Sequence, residues 1–162
     1  MTRRDALLAS CFAATLPQLL AACGSKPPPP PPPTVVKIDL QATDAVNPDG
    51  NGTPEPVQVR IFRLAAKESF TRTDFFALDG DPKKALGQDL VGLDSLLLVP
   101  GHGTQYEKKC EPDVKFVALV GSYFAIDRAQ WRAWKPVKSN ATNAFKATLD
   151  ADGITLKEVA AP

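Results

Sequence analysis

The sequence predicts an all-β domain, folded as a sandwich of two antiparallel sheets, behind an N-terminal export segment. Segments in which apolar and polar residues alternate recur along the chain, as in strands that bury one face. Clusters of Asn, Asp, Gly and Pro separate these segments and are typical of turns. The chain has 162 residues, which is room for one ordinary domain and an appendage. Several short strands with turns between them favour the two-sheet sandwich.

The first two strands have the clearest patterns. From position 36 to position 42, apolar residues at even positions alternate with polar residues at odd positions. We therefore expect one face of this strand to be buried and the other to face water. Residues 57–64 form the second strand, buried on both faces toward its end. The loop between them, residues 44–56, is rich in Asn, Asp, Gly and Pro and is longer than a tight hairpin requires.

After the second strand the pattern changes from strand to helix. Thr73 is expected to cap a short helix, because Thr side chains accept hydrogen bonds from the first free N–H groups of a helix. This helix carries Phe75, Phe76 and Leu78 inward. A small helical element therefore interrupts the strands at this point.

The remaining strands are shorter or more uniformly apolar. Residues 94–99 form a short apolar strand that a Pro-Gly pair ends. Residues 115–126 are almost continuously apolar, as expected of a central strand covered on both sides. Apolar residues alternate again over 145–149, a turn follows at 150–153, and the apolar face continues over 154–156 on the way back. These segments complete the predicted sandwich.

Residues 1–22 have the pattern of a signal peptide, with basic residues first and then an apolar stretch with small polar interruptions. This stretch is too short and too broken to span a bilayer, which takes about 20 apolar residues. The segment Leu20-Ala21-Ala22-Cys23 fits a bacterial lipobox, so Cys23 is the predicted lipidation site. Ordinary cleavage fits less well, because Leu20 is large where that site takes a small residue. A second match that ends at Cys11 leaves an apolar region too short for export.

Residues 23–33 are predicted to form a stalk between the lipid and the domain, residues 34–162. The seven consecutive prolines at 27–33 favour an extended left-handed helix, because each ring fixes φ and removes a donor. At ~3.1 Å per residue they hold the domain roughly 20 Å from the membrane. A proline-rich ligand for an aromatic groove is the alternative.

Gly24 favours the outer membrane, because an Asp there commonly retains bacterial lipoproteins in the inner membrane. Both the general and the twin-arginine export routes remain open, and both end in the periplasm.

The composition excludes several classes of function. Without residues 1–22 the chain carries 17 basic and 17 acidic side chains, and it has no basic stripe that could hold nucleic acid. Cys110 is then the only thiol besides Cys23, so no intrachain disulfide is expected. His102, the only histidine, lies in a turn, and no serine-nucleophile, zinc-protease or phosphate-loop motif is present. We therefore predict no enzymatic activity and no cofactor.

The loop between the first two strands partly follows the spacing of a calcium loop. Asn47 occupies the first position, where Asp belongs, and Gln58 occupies the twelfth, where a bidentate Glu belongs. Two missing carboxylates remove most of the charge that would hold the ion, so no metal site is predicted. Long loops on a rigid scaffold often carry function, and the three prolines of this loop limit the entropy lost on docking. The loop is therefore a candidate binding element, and a flexible connection is the alternative.

Behind the lipobox, short motifs follow one another in a defined order. They are Asn47-Pro48-Asp49, Pro54-x-Pro56-Val57-x-Val59-Arg60-Ile61-Phe62-x-Leu64, Phe70, Asp74-Phe75-Phe76-x-Leu78, Leu86-Gly87-x-Asp89-Leu90, Leu98-x-Pro100-Gly101, and Asp127-Arg128 before Trp131-Arg132. Each motif alone is weak. Together they resemble the TssJ family, the outer-membrane lipoproteins of type VI secretion systems, and the resemblance covers nearly all of the chain after the signal peptide.

This resemblance implies a transthyretin-like β-sandwich with a small helical insertion after the second strand. It also implies a non-enzymatic task, in which the lipoprotein anchors the secretion apparatus by binding the periplasmic C-terminal region of the inner-membrane protein TssM. In the family the contact lies in the loop between the first two strands. The partner-binding residues implied here are Asn47, Pro48, Asp49, Gly50, Asn51, Gly52, Thr53, Pro54, Glu55 and Pro56.

Two other functions remain open on the sequence. Trp131 and Trp134 could stack on sugars, which would make the protein a lipid-anchored module that binds peptidoglycan or another glycan. Their spacing of three residues places them on opposite faces of a strand, so we expect at least one of them in the core. An envelope enzyme requires that folding assemble carboxylates that the sequence does not show as a pair.

Overall fold

The structure, a computed structural model, describes residues 28–161. The predicted signal peptide, the predicted lipidation site Cys23 and the first proline of the predicted stalk lie outside these residues. Residues 28–33 are exposed and belong to no helix or strand. Among the described residues, no helix is both long and apolar enough to cross a membrane.

Within residues 28–161, eight strands form two four-stranded sheets. In chain order the strands are β1 (Val35–Ala42), β2 (Val57–Leu64), β3 (Leu90–Leu98), β4 (Gly103–Lys109), β5 (Phe116–Ser122), β6 (Arg132–Pro136), β7 (Thr142–Leu149) and β8 (Ile154–Val159). The first sheet has the strand order β4-β1-β7-β8, and the second has the order β3-β2-β5-β6. The predicted two-sheet sandwich with a helical insertion after the second strand is confirmed.

One pair of strands departs from the antiparallel arrangement that the sequence predicts. β1 and β7 are parallel, with Val36 opposite Asn143 and Leu40 opposite Ala147. Because β6 lies in the second sheet, the chain crosses between the sheets after it and brings β7 alongside β1 in the same direction. An alternating pattern shows which face of a strand is buried, and it does not show which strand is its neighbour.

The core between the sheets follows the predicted alternation. The apolar residues at the even positions of β1 are at most 5% exposed. Val57, Val59 and Ile61 of β2 meet them from the second sheet and are fully buried. Burying an aliphatic side chain of this size contributes about 1.5–3 kcal/mol, so these two strands form the centre of the sandwich.

A charged cluster joins the two sheets at one edge of this core. The side chain of Arg63 on β2 is 6% exposed and bonds to the carboxylate of Asp94 on β3. Arg63 also donates a hydrogen bond of 2.9 Å to the hydroxyl of Tyr106 on β4, and its guanidinium lies 3.4 Å from the carboxylate of Glu111. Burial by itself raises the pKa of Asp94, but hydrogen bonds from Tyr106 and Arg63 outweigh it and hold that pKa below its ordinary value. The buried charge is therefore fully paired.

The helical insertion, residues 65–89, covers the outer face of the second sheet. It contains the helices α1 (Glu68–Arg72), α2 (Phe75–Gly80) and α3 (Pro82–Leu86), followed by a 3₁₀ turn at Gly87–Asp89. Phe70, Leu78 and Leu86 of these helices pack against Phe62 on β2 and against β5. The guanidinium of Arg132 donates hydrogen bonds to two backbone carbonyls of the insertion, which ties it to β6.

Two details of the helix prediction are wrong. Asp74, not Thr73, caps α2, and its carboxylate accepts a hydrogen bond of 3.0 Å from the backbone N–H of Ala77. Thr73 instead ends α1, where its hydroxyl donates to the carbonyl of Ser69 at 2.7 Å. Phe76 is 73% exposed rather than inward. Residues 75 and 78 share one face of a helix, and residue 76 lies about 100° away from residue 75.

The strand predictions are wrong at several boundaries. β3 begins at Leu90, before the predicted segment, and β5 ends at Ser122, so residues 123–126 lie in a connection. The sequence patterns did not predict β4 or β6. Both are edge strands, and charged residues within them interrupt the apolar alternation, as is usual at sheet edges.

Candidate functional site

Four connections between strands meet at one end of the sandwich. Their backbones are linked in pairs, because the N–H of Gly101 donates to the carbonyl of Thr43 at 3.2 Å and the N–H of Gln130 donates to that of Asp152 at 2.8 Å. β1 begins after Thr34 at the opposite end, where Val35 pairs with Lys109. We call the end with the four connections the apex; it comprises residues 43–56, 99–102, 123–131 and 150–153.

The predicted binding loop, residues 47–56, lies at the apex and is closed on itself. Pro48 and Pro54 form an isolated antiparallel bridge. Asp49 donates its N–H to the carbonyl of Thr53 at 2.8 Å, and its carboxylate accepts hydrogen bonds of 2.8 Å from the N–H groups of Thr53 and Asn51. These bonds from Thr53 and Asn51 lower the pKa of Asp49. The loop is therefore a small ordered hairpin rather than a flexible connection.

Asn47 joins this loop to a second connection of the apex. The residue as a whole is 2% exposed. Its φ of 48° lies in the left-handed region, which Asn tolerates better than most residues. The side-chain amide donates to the carbonyl of Pro56 at 2.9 Å, and its oxygen accepts from the N–H of Phe124 at 2.8 Å. One buried residue therefore holds both ends of the loop and the start of the 123–131 connection.

Phe124 was not predicted as a site residue. The sequence patterns placed it inside a strand, because residues 115–126 are almost continuously apolar. In the structure β5 has ended, and the side chain of Phe124 is 66% exposed. The Gly121-Ser122 pair before it was the signal that could have ended the strand earlier.

A cleft lies between the loop and the 123–131 connection. It has a volume of about 170 Å³ and is lined by Pro48, Asp49, Gly50, Phe124, Ala125, Asp127 and Arg128. A neighbouring depression extends from the same residues toward Ala151 and Asp152. The structure thus brings part of the predicted loop together with residues that lie more than seventy positions further along the chain.

The apex is acidic, although the domain as a whole carries nearly balanced charge. Arg128 is its one Lys or Arg side chain, whereas six carboxylates lie within the same connections. Asp127, Arg128 and Asp152 are exposed. The six carboxylates belong to Asp44, Asp49, Glu55, Asp127, Asp150 and Asp152.

The structure also places the remaining residues that the sequence singled out. His102 is exposed, and its Nδ1 lies 2.9 Å from the carbonyl oxygen of Pro100. Cys110 is a buried free thiol whose pKa is raised by burial. Within residues 28–161, no group of three His, Cys, Asp or Glu side chains is placed to hold a metal ion.

Both tryptophans lie in packed aromatic clusters. The Lys67 ammonium lies 4.1 Å from the centre of the Trp134 ring, and the Arg132 guanidinium lies 4.6 Å from that of Trp131. Phe116 meets Trp134 edge to face, with ring centres 5.8 Å apart. A cation therefore covers one face of each indole, and both rings are partly buried against the core.

The sequence matches the model of a protein family described as type VI secretion lipoproteins, including VasD, EvfM and TssJ, over residues 34–152. No curated protein matches the chain significantly. Several solved structures share its fold. TssJ1 from Pseudomonas aeruginosa, a T6SS lipoprotein, has 34% identity and a TM-score of 0.78, with 81% of this chain and 100% of that chain covered.

Serratia marcescens Lip, a membrane-bound component of the type VI secretion system, has 24% identity and a TM-score of 0.71, with 80% of this chain and 99% of that chain covered. A chain in the structure of the TssM C-terminal domain from EAEC has 22% identity and a TM-score of 0.61, with 75% and 99% covered. The fold agrees in all three, and the family match covers most of the β-sandwich. The chain therefore belongs to the family of type VI secretion lipoproteins that includes TssJ.

Proposed function

We propose that this protein anchors the type VI secretion membrane complex to the outer membrane by binding the periplasmic C-terminal region of TssM. The observation that carries the proposal is the position of the ordered loop 47–56. The loop lies at the apex, and the chain enters the sandwich at the opposite end, through Thr34. A lipid-anchored domain built in this way presents the loop on the side away from its tether.

The membrane end of the proposal rests on the sequence. Residues 1–22 direct export, Cys23 carries the lipid, and residues 23–33 form the stalk of the domain at 34–162. The several acyl chains of a bacterial lipoprotein give firm attachment, since each buried methylene contributes about 0.8 kcal/mol. Gly24 in place of Asp supports the outer membrane as the destination.

The partner end of the proposal rests on the order within the loop. The two hydrogen bonds to the Asp49 carboxylate and the bridge between Pro48 and Pro54 fix its backbone before any partner arrives. A preformed loop loses less conformational entropy on binding than a flexible one. A chain of the same fold in the structure of the TssM C-terminal domain from EAEC supports TssM as the partner.

We propose a structural rather than an enzymatic task. The family consists of lipoprotein components of the secretion system, and the apex presents loop backbone and carboxylates to a partner rather than a paired acid and base. Binding, not turnover, is therefore the measurable activity.

The partner-binding role can be tested by replacing residues 49–53 with a Gly/Ser segment of equal length. We expect capture of the TssM periplasmic region to be lost while the melting temperature changes little, because this segment lies outside the core. Exchanging the exposed Lys83 and Lys84 of α3 for Ala is the matched control, and it should leave capture intact. Unchanged capture by the loop variant would disprove the role of the loop.

The anchor can be tested independently of the partner. A Cys23→Ser variant should lose lipid labelling and should no longer fractionate with the outer membrane. A Gly24→Asp variant should keep the lipid and move toward the inner-membrane fraction. Outer-membrane fractionation of the Cys23→Ser protein would contradict the lipid anchor.

A further inference from the structure

Phe124 combines a fixed backbone with a freely exposed ring. Its N–H donates to the buried side chain of Asn47 at 2.8 Å, while its side chain is 66% exposed. Large aromatic side chains are enriched among the residues that contribute most to protein binding, in part because they lose little entropy when they dock. An exposed phenylalanine on a clamped loop is therefore suited to serve as an anchor.

The surroundings of Phe124 supply the rest of a binding surface. Pro48 and Gly50 of the loop face it across the cleft of about 170 Å³. This volume suits one inserted side chain rather than a whole small molecule, since ligand pockets usually exceed about 300 Å³. Asn47 holds both walls of the cleft at once, so that the two walls are presented together.

The charge of the apex limits what can dock there. Asp127 and Asp152 are exposed beside the cleft, and Arg128 is the only Lys or Arg side chain of the apex, against six carboxylates. A basic surface is attracted to such a rim, whereas an acidic surface is repelled. The carboxylates of Asp49 and Asp150 accept hydrogen bonds from their own loops. Of the other four, Asp127 and Asp152 are both exposed and line the cleft and its neighbouring depression.

We propose that Phe124 and the loop 47–56 form one continuous partner-binding surface, and that the partner contributes a basic segment with an apolar side chain that packs against Phe124 in the cleft. This inference rests on the proposed function and adds the second connection, the anchor residue and the chemistry of the partner. Surface charge guides the approach of the basic segment, and the ring of Phe124 supplies the apolar contact.

The test compares two exposed phenylalanines in the detergent-solubilised mature lipoprotein. Phe124→Ala should weaken binding of the TssM periplasmic region about thirtyfold, the effect of losing a binding hot spot. Phe76→Ala is the matched control, because Phe76 is 73% exposed and lies on α2, outside the apex. We expect that variant to bind within about twofold of the original protein. Circular dichroism melts of both variants show that the domain stays folded.

Salt dependence tests the charge of the partner. The dissociation constant should rise as NaCl increases from about 50 mM to about 500 mM, because exposed charges are screened. The double variant Asp127→Asn/Asp152→Asn should bind more weakly and respond less to salt. An affinity that does not change with salt would overturn the proposal of a basic partner segment.

The outcomes separate this inference from the function on which it rests. If exchange of residues 49–53 abolishes binding and Phe124→Ala does not weaken it, the surface ends at the loop and the inference fails, while the proposed function stands. If neither change weakens binding, both fail. If Phe76→Ala weakens binding as much as Phe124→Ala, the surface extends onto α2 and the anchor assignment is overturned.

Discussion

The apex and the helical insertion are both built from long connections, but different forces hold them. In the insertion, Phe70, Leu78 and Leu86 turn toward the second sheet and are almost completely buried. In the apex, the side chains of Asn47 and Asp49 hold the backbone through hydrogen bonds. Apolar packing fixes a connection by covering a surface. Polar clamps fix a connection and leave its outer surface free for a partner.

The helices of the insertion could not stand alone. They contain five or six residues each, whereas isolated helices are marginal below about 12 residues. Their stability comes from the aromatic contacts beneath them, such as the pair Phe62 and Phe70, whose ring centres lie 5.6 Å apart. Packing should therefore dominate the stability of this region.

The largest expected effect is the loss of that packing. Phe70→Ala should lower the free energy of unfolding by about 3–5 kcal/mol, because it removes a fully buried ring and leaves a cavity. Chemical denaturation measures this change, and Phe76→Ala, at an exposed position on the neighbouring helix, should change stability by less than about 0.5 kcal/mol. Equal effects of the two substitutions would mean that the insertion is not held by its buried face.

A second substitution tests a contact that belongs to neither region. Arg63→Met removes the charge that pairs with Asp94 and Glu111 between the sheets. We expect a loss of about 2–3 kcal/mol, less than for a fully buried pair because Asp94 is partly exposed and keeps Lys108 as a partner. Chemical denaturation measures this loss of stability. TssM binding at low temperature, where the variant stays folded, should show an unchanged affinity. Reduced affinity in the folded protein would show that the cluster also shapes the apex.

A smaller effect on stability is expected at the apex clamp. Asn47→Ala removes hydrogen bonds to Pro56 and Phe124 and should lower stability by about 1–2 kcal/mol. The same substitution should weaken TssM binding about tenfold, which is a large effect compared with its effect on stability. In the Asn47→Ala background, Phe124→Ala should cost less affinity than it does alone, which a double-mutant cycle measures. Fully additive losses would indicate that Asn47 does not hold Phe124 for binding.

The smallest expected effect is the response of the loop to acid. The hydrogen bonds from Thr53 and Asn51 lower the pKa of Asp49. The order that they confer is therefore complete above the ordinary Asp value near 3.9 and is lost as pH falls through the lowered pKa. An NMR titration should show the amide signals of Asn51 and Thr53 shifting with a midpoint below about 3.9, without global unfolding. A midpoint above that value would show that the carboxylate does not accept these bonds in solution.

The comparison also explains what the sequence could predict. Burial leaves a periodic pattern, so β1, β2, β7, the turn at 150–153 and an inward Leu78 were predicted correctly. A polar clamp leaves no pattern, because Asn47 and Phe124 are 77 positions apart. The edge strands β4 and β6 were missed for a related reason, since charged residues interrupt their apolar alternation. The length and prolines of the loop 47–56 marked it as a candidate binding element, which stays a prediction. The residues of the 123–131 connection that line the other side of the cleft were not predicted.

The place of β1 in the first sheet also has a mechanical consequence. β1 continues directly from the stalk side of the domain to the apex, and it lies between β4 and β7, with hydrogen bonds to both. A pull between a lipid anchor and a partner at the apex would run along this strand and across the hydrogen bonds of both ladders. Such a load shears two ladders at once rather than opening one bond after another. In the proposed tether, the strand that connects membrane and partner is therefore the one that resists extension from both sides.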